Sequence, residues 1–363
     1  MTQVLTAPTY QLGVDLDPGI EEELICTDIV QVTHDVRTFE LRRSEPGRFA
    51  FRAGQHLTVA VEIEGETLER CYTVSSPPTR PERASITVKR VPGGPVSGWL
   101  HDRFRVGDRL HATGPLGRFT LEEHPARRHL FLSAGSGITP LMSMTRTLRD
   151  LGTSHDIAFV HSARTPADIV FRSELEAMST ADLRVTTVCE TDTDDHTWHG
   201  EPGRLTLPML ERIVPDLDQR EVFVCGPAGY MDSVRTILAE AGVDPARHHE
   251  ESFVLGAPGH PPTDVPVSPA GRAATPATFA VELRRSGRML TCDAATSVLD
   301  AAAREGVDLP SSCGEGVCGT CKSTLLEGTV DMQHGGGIRP REIARQQILL
   351  CCSKPLEDLV IDA

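Results

Sequence analysis

Apolar and polar positions along the chain follow three successive rhythms. From Glu22 they form short alternating runs: Glu23 to Val32, Val36 to Arg42, His56 to Ile63, Cys71 to Ser75, Ser85 to Val91 and Arg109 to Thr113. Alternation at period two, broken by Gly, Pro and charged turns, predicts an antiparallel β-barrel over residues 21–125. From residue 126 apolar runs at His129 to Ala134, Asp156 to His161, Arg184 to Cys189 and Glu221 to Cys225 alternate with longer amphipathic segments. Those segments, Thr139 to Leu151, Asp168 to Met178, Leu205 to Val214 and Gly229 to Ala241, predict helices. The alternation implies an α/β domain with a parallel sheet over residues 126–253, which binds ligands at the carboxyl ends of its strands.

Beyond residue 276 short strands return: Thr278 to Arg284, Arg288 to Cys292, Lys322 to Leu326, Gln347 to Cys352 and Leu359 to Ile361. One helix, Ser297 to Glu305, interrupts them, with Thr296 or Ser297 as its cap and Gly306 as its stop. Residues 254–276 contain Pro258, Pro261, Pro262, Pro266, Pro269 and Pro276. Such a stretch builds no core and is expected to act as a semi-extended tether for residues 277–363. Residues 1–20 have no period and are expected to form a loose tail.

At 363 residues the chain suits two or three domains. Its 36 basic and 51 acidic residues leave a net charge of −15, which argues against nucleic acid or an anionic membrane as partner and suits a basic patch on another protein. No apolar run approaches the ~18 residues of a membrane span. No Lys or Arg precedes Arg37, so neither a secretory nor a transit signal is expected, and a reducing cytoplasmic location suits the many cysteines.

The densest chemistry lies in Cys313-Gly-Glu-Gly-Val-Cys318-Gly-Thr-Cys321, followed at a distance by Cys351. C-x4-C, then C-x2-C, then a remote cysteine is the ligand spacing of a plant-type [2Fe-2S] cluster. A zinc site would ask for a second C-x2-C knuckle, and none follows. Cys352 adjoins Cys351, and if both lay in a strand only one would face the metal. Periodicity alone does not choose between them.

Two further strings carry cofactor chemistry. In Arg70-Cys71-Tyr72-Thr73-Val74-Ser75-Ser76 an arginine can neutralise a pyrophosphate, a tyrosine two residues on can stack on a planar ring, and hydroxyls supply hydrogen bonds. In Val88-Lys89-Arg90-Val91-Pro92-Gly93-Gly94-Pro95-Val96-Ser97 a glycine turn opens a short helix at Ser97, where free N–H groups can hold phosphate. In the α/β domain, Gly135-Ser136-Gly137-Ile138-Thr139-Pro140 ends the first strand, with Thr139 as a possible cap and Pro140 in the first helical turn. Cys225-Gly226-Pro227 ends the last.

Together these strings resemble the ferredoxin-NADP reductase family, and in detail the flavin/iron-sulfur reductase components of Rieske-type monooxygenases that demethylate glycine betaine and related quaternary ammonium compounds. Phe159-Val-His161-Ser-Ala-Arg164, His248-His-Glu-Glu251-Ser-Phe253 and His334-Gly-Gly-Gly-Ile338 carry the finer resemblance. It implies a β-grasp (α+β) ferredoxin domain after the tether and selects Cys351 as fourth ligand beside Cys313, Cys318 and Cys321. It also implies that Arg70, Tyr72, Thr73 and Ser76 bind flavin, with Val88, Lys89 and Arg90 along the isoalloxazine and Gly94 and Ser97 at the pyrophosphate. The glycine-serine helix start favours FAD over FMN.

Gly135, Gly137, Thr139, Pro140, Gly226 and Pro227 would then hold nicotinamide nucleotide. Cys225 would pack beside the hydride-donating carbon without acting as a nucleophile, and Glu251 and Phe253 would close on the flavin. Arg164 and Arg172 could each meet the adenosine ribose or a 2′-phosphate, or lie in surface ion pairs, the reading that suits Arg172 on a helix. The family string around Arg164 makes NADH the expected donor, with NADPH the alternative. The implied activity is electron transfer from NADH through FAD and the cluster to a terminal oxygenase. A plant-type cluster near about −400 mV lies below a Rieske centre at roughly −150 mV or above, so the last transfer runs downhill. A cytochrome P450 or di-iron hydroxylase as acceptor, and a non-enzymatic redox sensor, are the alternatives.

Overall fold

Leu24, Cys26, Phe39, Leu41, Val59, Val61, Ile86, Val88, Leu110 and Ala112 are all buried, so the period-two pattern folds as a barrel with these side chains inside. Its elements are β1 (Ile20–Thr33), β2 (Val36–Arg43), β3 (His56–Ile63), β4 (Glu66–Thr73), β5 (Ala84–Lys89), α1 (Pro95–Asp102) and β6 (Arg109–Leu116). Antiparallel pairing gives the order β4-β3-β6-β1-β2-β5, and a bridge between Val74 and Ile86 joins the two edges. The computed structural model describes residues 20–152, 155–192, 198–252, 278–307, 309, 316, 321–334, 338 and 340–363. The expected tail up to Gly19 and the proline-rich 254–276 lie outside them.

The second rhythm folds as β7 (Arg128–Ala134), α2 (Ile138–Leu151), β8 (Asp156–Ala163), α3 (Arg172–Met178), β9 (Leu183–Cys189), β10 (Glu201–Pro202), α4 (Leu207–Ile213), β11 (Glu221–Gly226), α5 (Ala228–Glu240) and β12 (His248–Ser252). All neighbours run parallel in the order β10-β9-β8-β7-β11-β12. The chain moves outward from β7 in one direction and resumes with β11 on its other flank. This reversal opens a crevice at the carboxyl ends of β7 and β11. Two boundaries differ from expectation: α3 begins at Arg172 rather than Asp168, and residues 166–168 form a single 3-10 turn held by Thr165 and Asp168. β12 was not expected as a strand, because His248-His-Glu-Glu lacks apolar alternation. An edge strand needs only backbone pairing to β11, and its polar side chains find partners in Glu221 and Arg235.

Beneath this sheet the Arg220 guanidinium is fully buried, bonded to both carboxylates of Asp156 and Asp216 and to the His129 carbonyl. His129 is itself buried among Phe131, His155 and Phe223. Burial, then the charges of His155 and Arg220, lower its pKa from 6.5 to about 3. The unfolded chain therefore takes up this proton first, and stability falls as pH drops from 6.5 towards 3. His129→Phe is expected to remove about 2 kcal/mol of the loss between pH 6.5 and 5. Urea midpoints against pH check this; parallel curves for wild type and variant would refute it.

By contact the chain divides into two compact units, Met1–Phe253 and Val254–Ala363. The second comprises β13 (Thr278–Leu283), β14 (Arg288–Asp293), α6 (Val298–Arg304), β15 (Lys322–Glu327), β16 (Val330–Met332), α7 (Pro340–Ile343), β17 (Gln347–Leu349), β18 (Ser353–Pro355) and β19 (Leu359–Asp362). Its mixed sheet has the order β14-β13-β19-β15-β17, and β16 pairs with β18 separately. Ser297, not Thr296, caps α6 by accepting from Asp300 N at 3.1 Å, and Gly306 ends it at φ +69°. β17 stops at Leu349, three residues earlier than expected, because Cys352 N–H returns to the Leu349 carbonyl and closes a turn. Among the described residues no helix is long and apolar enough to cross a membrane.

Candidate functional site

The barrel and the parallel sheet meet where β4 ends. Arg70 and Tyr72 share one face of β4 and are half-buried, Arg70 donating to the Glu69 carbonyl. Tyr72 packs on the barrel core, and burial pushes its hydroxyl pKa up. Thr73 points the other way, is 2% exposed, and its Oγ1 donates to Glu251 Oε2 at 3.5 Å. Directly across from Thr73 on β3 is His56, whose Nδ1 lies 3.9 Å from Glu251 Oε1. The carboxylate on β12 is thus bracketed by a hydroxyl and an imidazole from the barrel.

Behind Glu251 in the β11–β12 register stands Cys225. Its thiol is fully buried, and burial followed by the charge of Glu251 raises its pKa well above the ordinary value. It stays a neutral thiol, the form that packs as a small apolar group and is unsuited to nucleophilic attack.

The turn Gly135–Gly137 is a 3-10 turn in which Gly135 stands at φ +53°. A Cβ on Gly137 would lie 2.3 Å from the Cys225 carbonyl oxygen and 2.6 Å from Gly226 N, so glycine there lets two backbone turns touch. Gly226 is similarly pressed, by the ring of Tyr230. Thr139 does not cap α2: the helix starts at Ile138, and the Thr139 hydroxyl donates back to the Ser136 carbonyl at 3.1 Å. Pro140 is buried in the first turn, and Pro227 precedes α5. In the same crevice the buried Tyr230 hydroxyl lies beside Ser162, and neither makes a hydrogen bond of normal geometry to the described residues. Polar atoms left over at a glycine-lined turn suit a polar ligand. Arg164 is exposed at the end of β8 with no acidic partner among the described residues, while Arg172 pairs with Glu176 at 3.0 Å.

Other expected flavin residues are already engaged. Lys89 pairs with Asp35 at 2.9 Å, and Arg90 grips Asp102 through both guanidinium nitrogens. Val88 is buried, its carbonyl facing His101 Nε2. Ser76 Oγ accepts from Ser85 N. The short helix opens at Pro95 after Gly94, not at Ser97; the Ser97 hydroxyl turns inward between Val91 N and the Gly94 carbonyl. The Ser97 side chain is therefore engaged within its own turn.

In the second unit the sulfurs of Cys321 and Cys351 lie 3.2 Å apart, both buried, and Gly316 N–H points at Cys351 Sγ from 3.2 Å. The Cys352 thiol is directed at the Leu349 carbonyl at 3.6 Å, yet it also lies beside Cys351 and close to Gly316. Two adjacent thiols with a backbone donor aimed at one suit a sulfur-ligated cluster. Cys313, Cys318 and, in the first unit, Phe253 lie outside the described residues.

Residues 23–121 match the oxidoreductase FAD-binding domain family, 131–236 the oxidoreductase NAD-binding domain family and 281–356 the 2Fe-2S iron-sulfur cluster binding domain family. The chain is 43% identical over 344 residues to the glycine betaine monooxygenase reductase subunit of Pseudomonas aeruginosa, across 93% of this chain and 94% of that one. It belongs to the family of flavin/iron-sulfur oxygenase reductases. A second relative, the stachydrine N-demethylase reductase subunit of Rhizobium meliloti, is 38% identical over 94% of this chain and 96% of its own length. Among solved structures, phthalate dioxygenase reductase superposes with a TM-score of 0.57 at 27% identity, covering 96% of this chain and 98% of that one.

For this reductase the motifs named from sequence converge on two centres, the β4–β12 seam with its glycine turns and the Cys321–Cys351 pair. Sequence reasoning missed His56. The signal was there in Gln55-His56, a polar pair entering an apolar strand that then buries both. It also missed Tyr230 and Ser162, which reveal themselves only once β8 and α5 flank the same crevice.

Proposed function

We propose that this reductase oxidises NADH and passes the electrons through FAD and a [2Fe-2S] cluster to a terminal Rieske-type oxygenase acting on a quaternary ammonium compound such as glycine betaine. The meeting of Thr73 and His56 from the barrel with Glu251 and Cys225 from the parallel sheet carries this reading, because it brings the strand expected to bind flavin beside the strands expected to bind the nucleotide. The relatives named for glycine betaine and stachydrine oxygenases support the acceptor.

FAD held there would supply the conversion of a two-electron hydride into single electrons, and a [2Fe-2S] cluster held by the cysteines would supply one-electron carriage. Arg70 supplies charge to the pyrophosphate and Tyr72 a stacking face. Thr73 and Glu251 hold a hydrogen-bonded edge at the reacting ring, and the neutral thiol of Cys225 excludes water beside it. Gly135, Gly137, Gly226 and Pro227 let the nucleotide backbone approach closely. Cys313, Cys318, Cys321 and Cys351 hold the cluster. With Arg172 committed to Glu176, Arg164 remains as the arginine expected to meet the adenosine ribose, and NADH as donor follows the resemblance of the string around Arg164. A reducing cytosol suits the free thiols.

Anaerobic mixing with each coenzyme tests the reading. NADH is expected to bleach the flavin faster than NADPH does, and a purified Rieske oxygenase to be reduced faster than a P450 or di-iron hydroxylase. Faster bleaching by NADPH would reverse the coenzyme assignment, and no bleaching by either would refute the function.

A further inference from the structure

Ser143, Arg146 and Asp150 lie three and four residues apart on α2 and so share one face of that helix. All three reach into the segment that leaves β4. Ser143 Oγ donates to the Ser76 carbonyl at 2.7 Å. The Arg146 guanidinium donates to the Ser75 carbonyl at 2.5 Å, while Glu174 on α3 holds it from behind at 2.8 and 2.5 Å. Asp150 accepts from Thr79 Oγ1 at 2.6 Å and from Arg80 at 2.7 and 2.9 Å.

Arg146 is the centre of this arrangement. Its side chain is 13% exposed, so its bonds are little screened, whereas Arg80 is 66% exposed and its pair with Asp150 contributes less. The ring of Phe171 lies 4.6 Å from the guanidinium carbon, and Phe171 stands in the left-handed backbone region at φ +59° to put it there. A phenylalanine pays for that conformation only where its surroundings enforce it.

The same helix has Gly137 as its N-cap, packed against the Cys225 carbonyl. Its 14 residues therefore form a strut of roughly 20 Å between the nucleotide turn and the exit of the flavin strand. We propose that Ser143, Arg146 and Asp150 are positioning residues, a latch through which α2 sets the flavin-binding strand against the nucleotide turn and so fixes how closely the two bound rings stack. This rests on the reading that Thr73 borders the flavin and Gly135–Gly137 the nucleotide. Interdomain glue alone would affect stability; a latch affects ring alignment at full occupancy.

The test uses the full-length holoprotein as wild type, Arg146→Ala, Arg146→Lys and the milder Ser143→Ala. Three readouts are taken: amide hydrogen exchange of residues 75–80, the flavin difference absorbance on saturating with NAD+, and anaerobic bleaching by saturating NADH. Arg146→Ala is expected to keep its FAD, iron and NAD+ affinity within twofold. Its segment 75–80 should exchange faster, its difference band should weaken, and bleaching should slow on the order of 10-fold or more. Arg146→Lys should recover part of each change, and Ser143→Ala should show a smaller change in the same direction.

Wild-type exchange and difference band in Arg146→Ala would overturn the latch, as would slowing that merely tracks lost FAD. If Arg146→Ala does not fold, unchanged readouts in Ser143→Ala overturn it. A wild-type protein that NADH fails to bleach refutes the proposed function instead, and the exchange data then decide the latch by themselves.

Discussion

Cys351→Ser is expected to purify without the cluster's visible absorption and with iron and acid-labile sulfide near zero, whereas Cys352→Ser keeps both. The reason is geometric. Cys351 Sγ faces Cys321 Sγ at 3.2 Å and receives the Gly316 N–H, while Cys352 Sγ is turned to the Leu349 carbonyl. A hydroxyl at 351 removes a thiolate ligand and leaves a donor aimed at nothing. At 352 it replaces a thiol that lies beside Cys351 but is directed at the Leu349 carbonyl and does not receive the Gly316 N–H. Electron delivery to the terminal oxygenase should vanish in the first variant, with NADH-driven flavin bleaching intact in both. Iron analysis and visible spectra of the two proteins check this, and the reverse pattern would move the ligand to Cys352.

Gly137→Ala carries the second large effect. Its new methyl would sit 2.3 Å from the Cys225 carbonyl oxygen, 2.5 Å from the carbonyl carbon and 2.6 Å from Gly226 N, all of them backbone atoms that cannot swing aside. The two turns must separate by roughly 1 Å, which costs about 3 kcal/mol as overpacking. A displacement of that size at the nucleotide site is also expected to slow flavin bleaching on the order of 100-fold. Gly229→Ala is the control, because nothing lies within 4 Å of its Cβ and it stands in helix α5. It should be neutral or more stable by about 0.5–1 kcal/mol. Thermal unfolding and stopped-flow bleaching of the pair decide it; equal behaviour would show that the turns have room.

Local patterning carried much of this molecule. Alternation predicted β3 to the residue, His56–Ile63, and the βα rhythm predicted a parallel sheet whose glycine turns sit at one edge. Those features depend on neighbours a few residues away. The argument that only one of Cys351 and Cys352 can face the metal assumed a strand through residue 352, and the chain instead turns after Leu349. Leu350 N–H goes to the Cys321 carbonyl and Cys352 N–H to Leu349, so the directions of the two sulfurs are set by a turn.

Partners of charged side chains were less legible. The resemblance set Lys89 and Arg90 along the isoalloxazine. In the fold their heads are committed to Asp35, brought alongside by the β2–β5 pairing, and to Asp102, at the end of α1. A long cationic side chain selects the nearest carboxylate in space, and no window of sequence shows which one that is.

By itself the sequence determined the cofactor inventory, since cysteine spacing, glycine turns and the Arg-x-Tyr-Thr string are short-range demands of iron, phosphate and planar rings. Only the tertiary structure decided which residues face one another. Thr73 and Glu251, 178 positions apart, meet because β12 adds to the edge of β11 and α2 holds the exit of β4. Contacts of that kind arise from strand order and domain docking, which are set by the burial of whole faces rather than by the residues that end up touching.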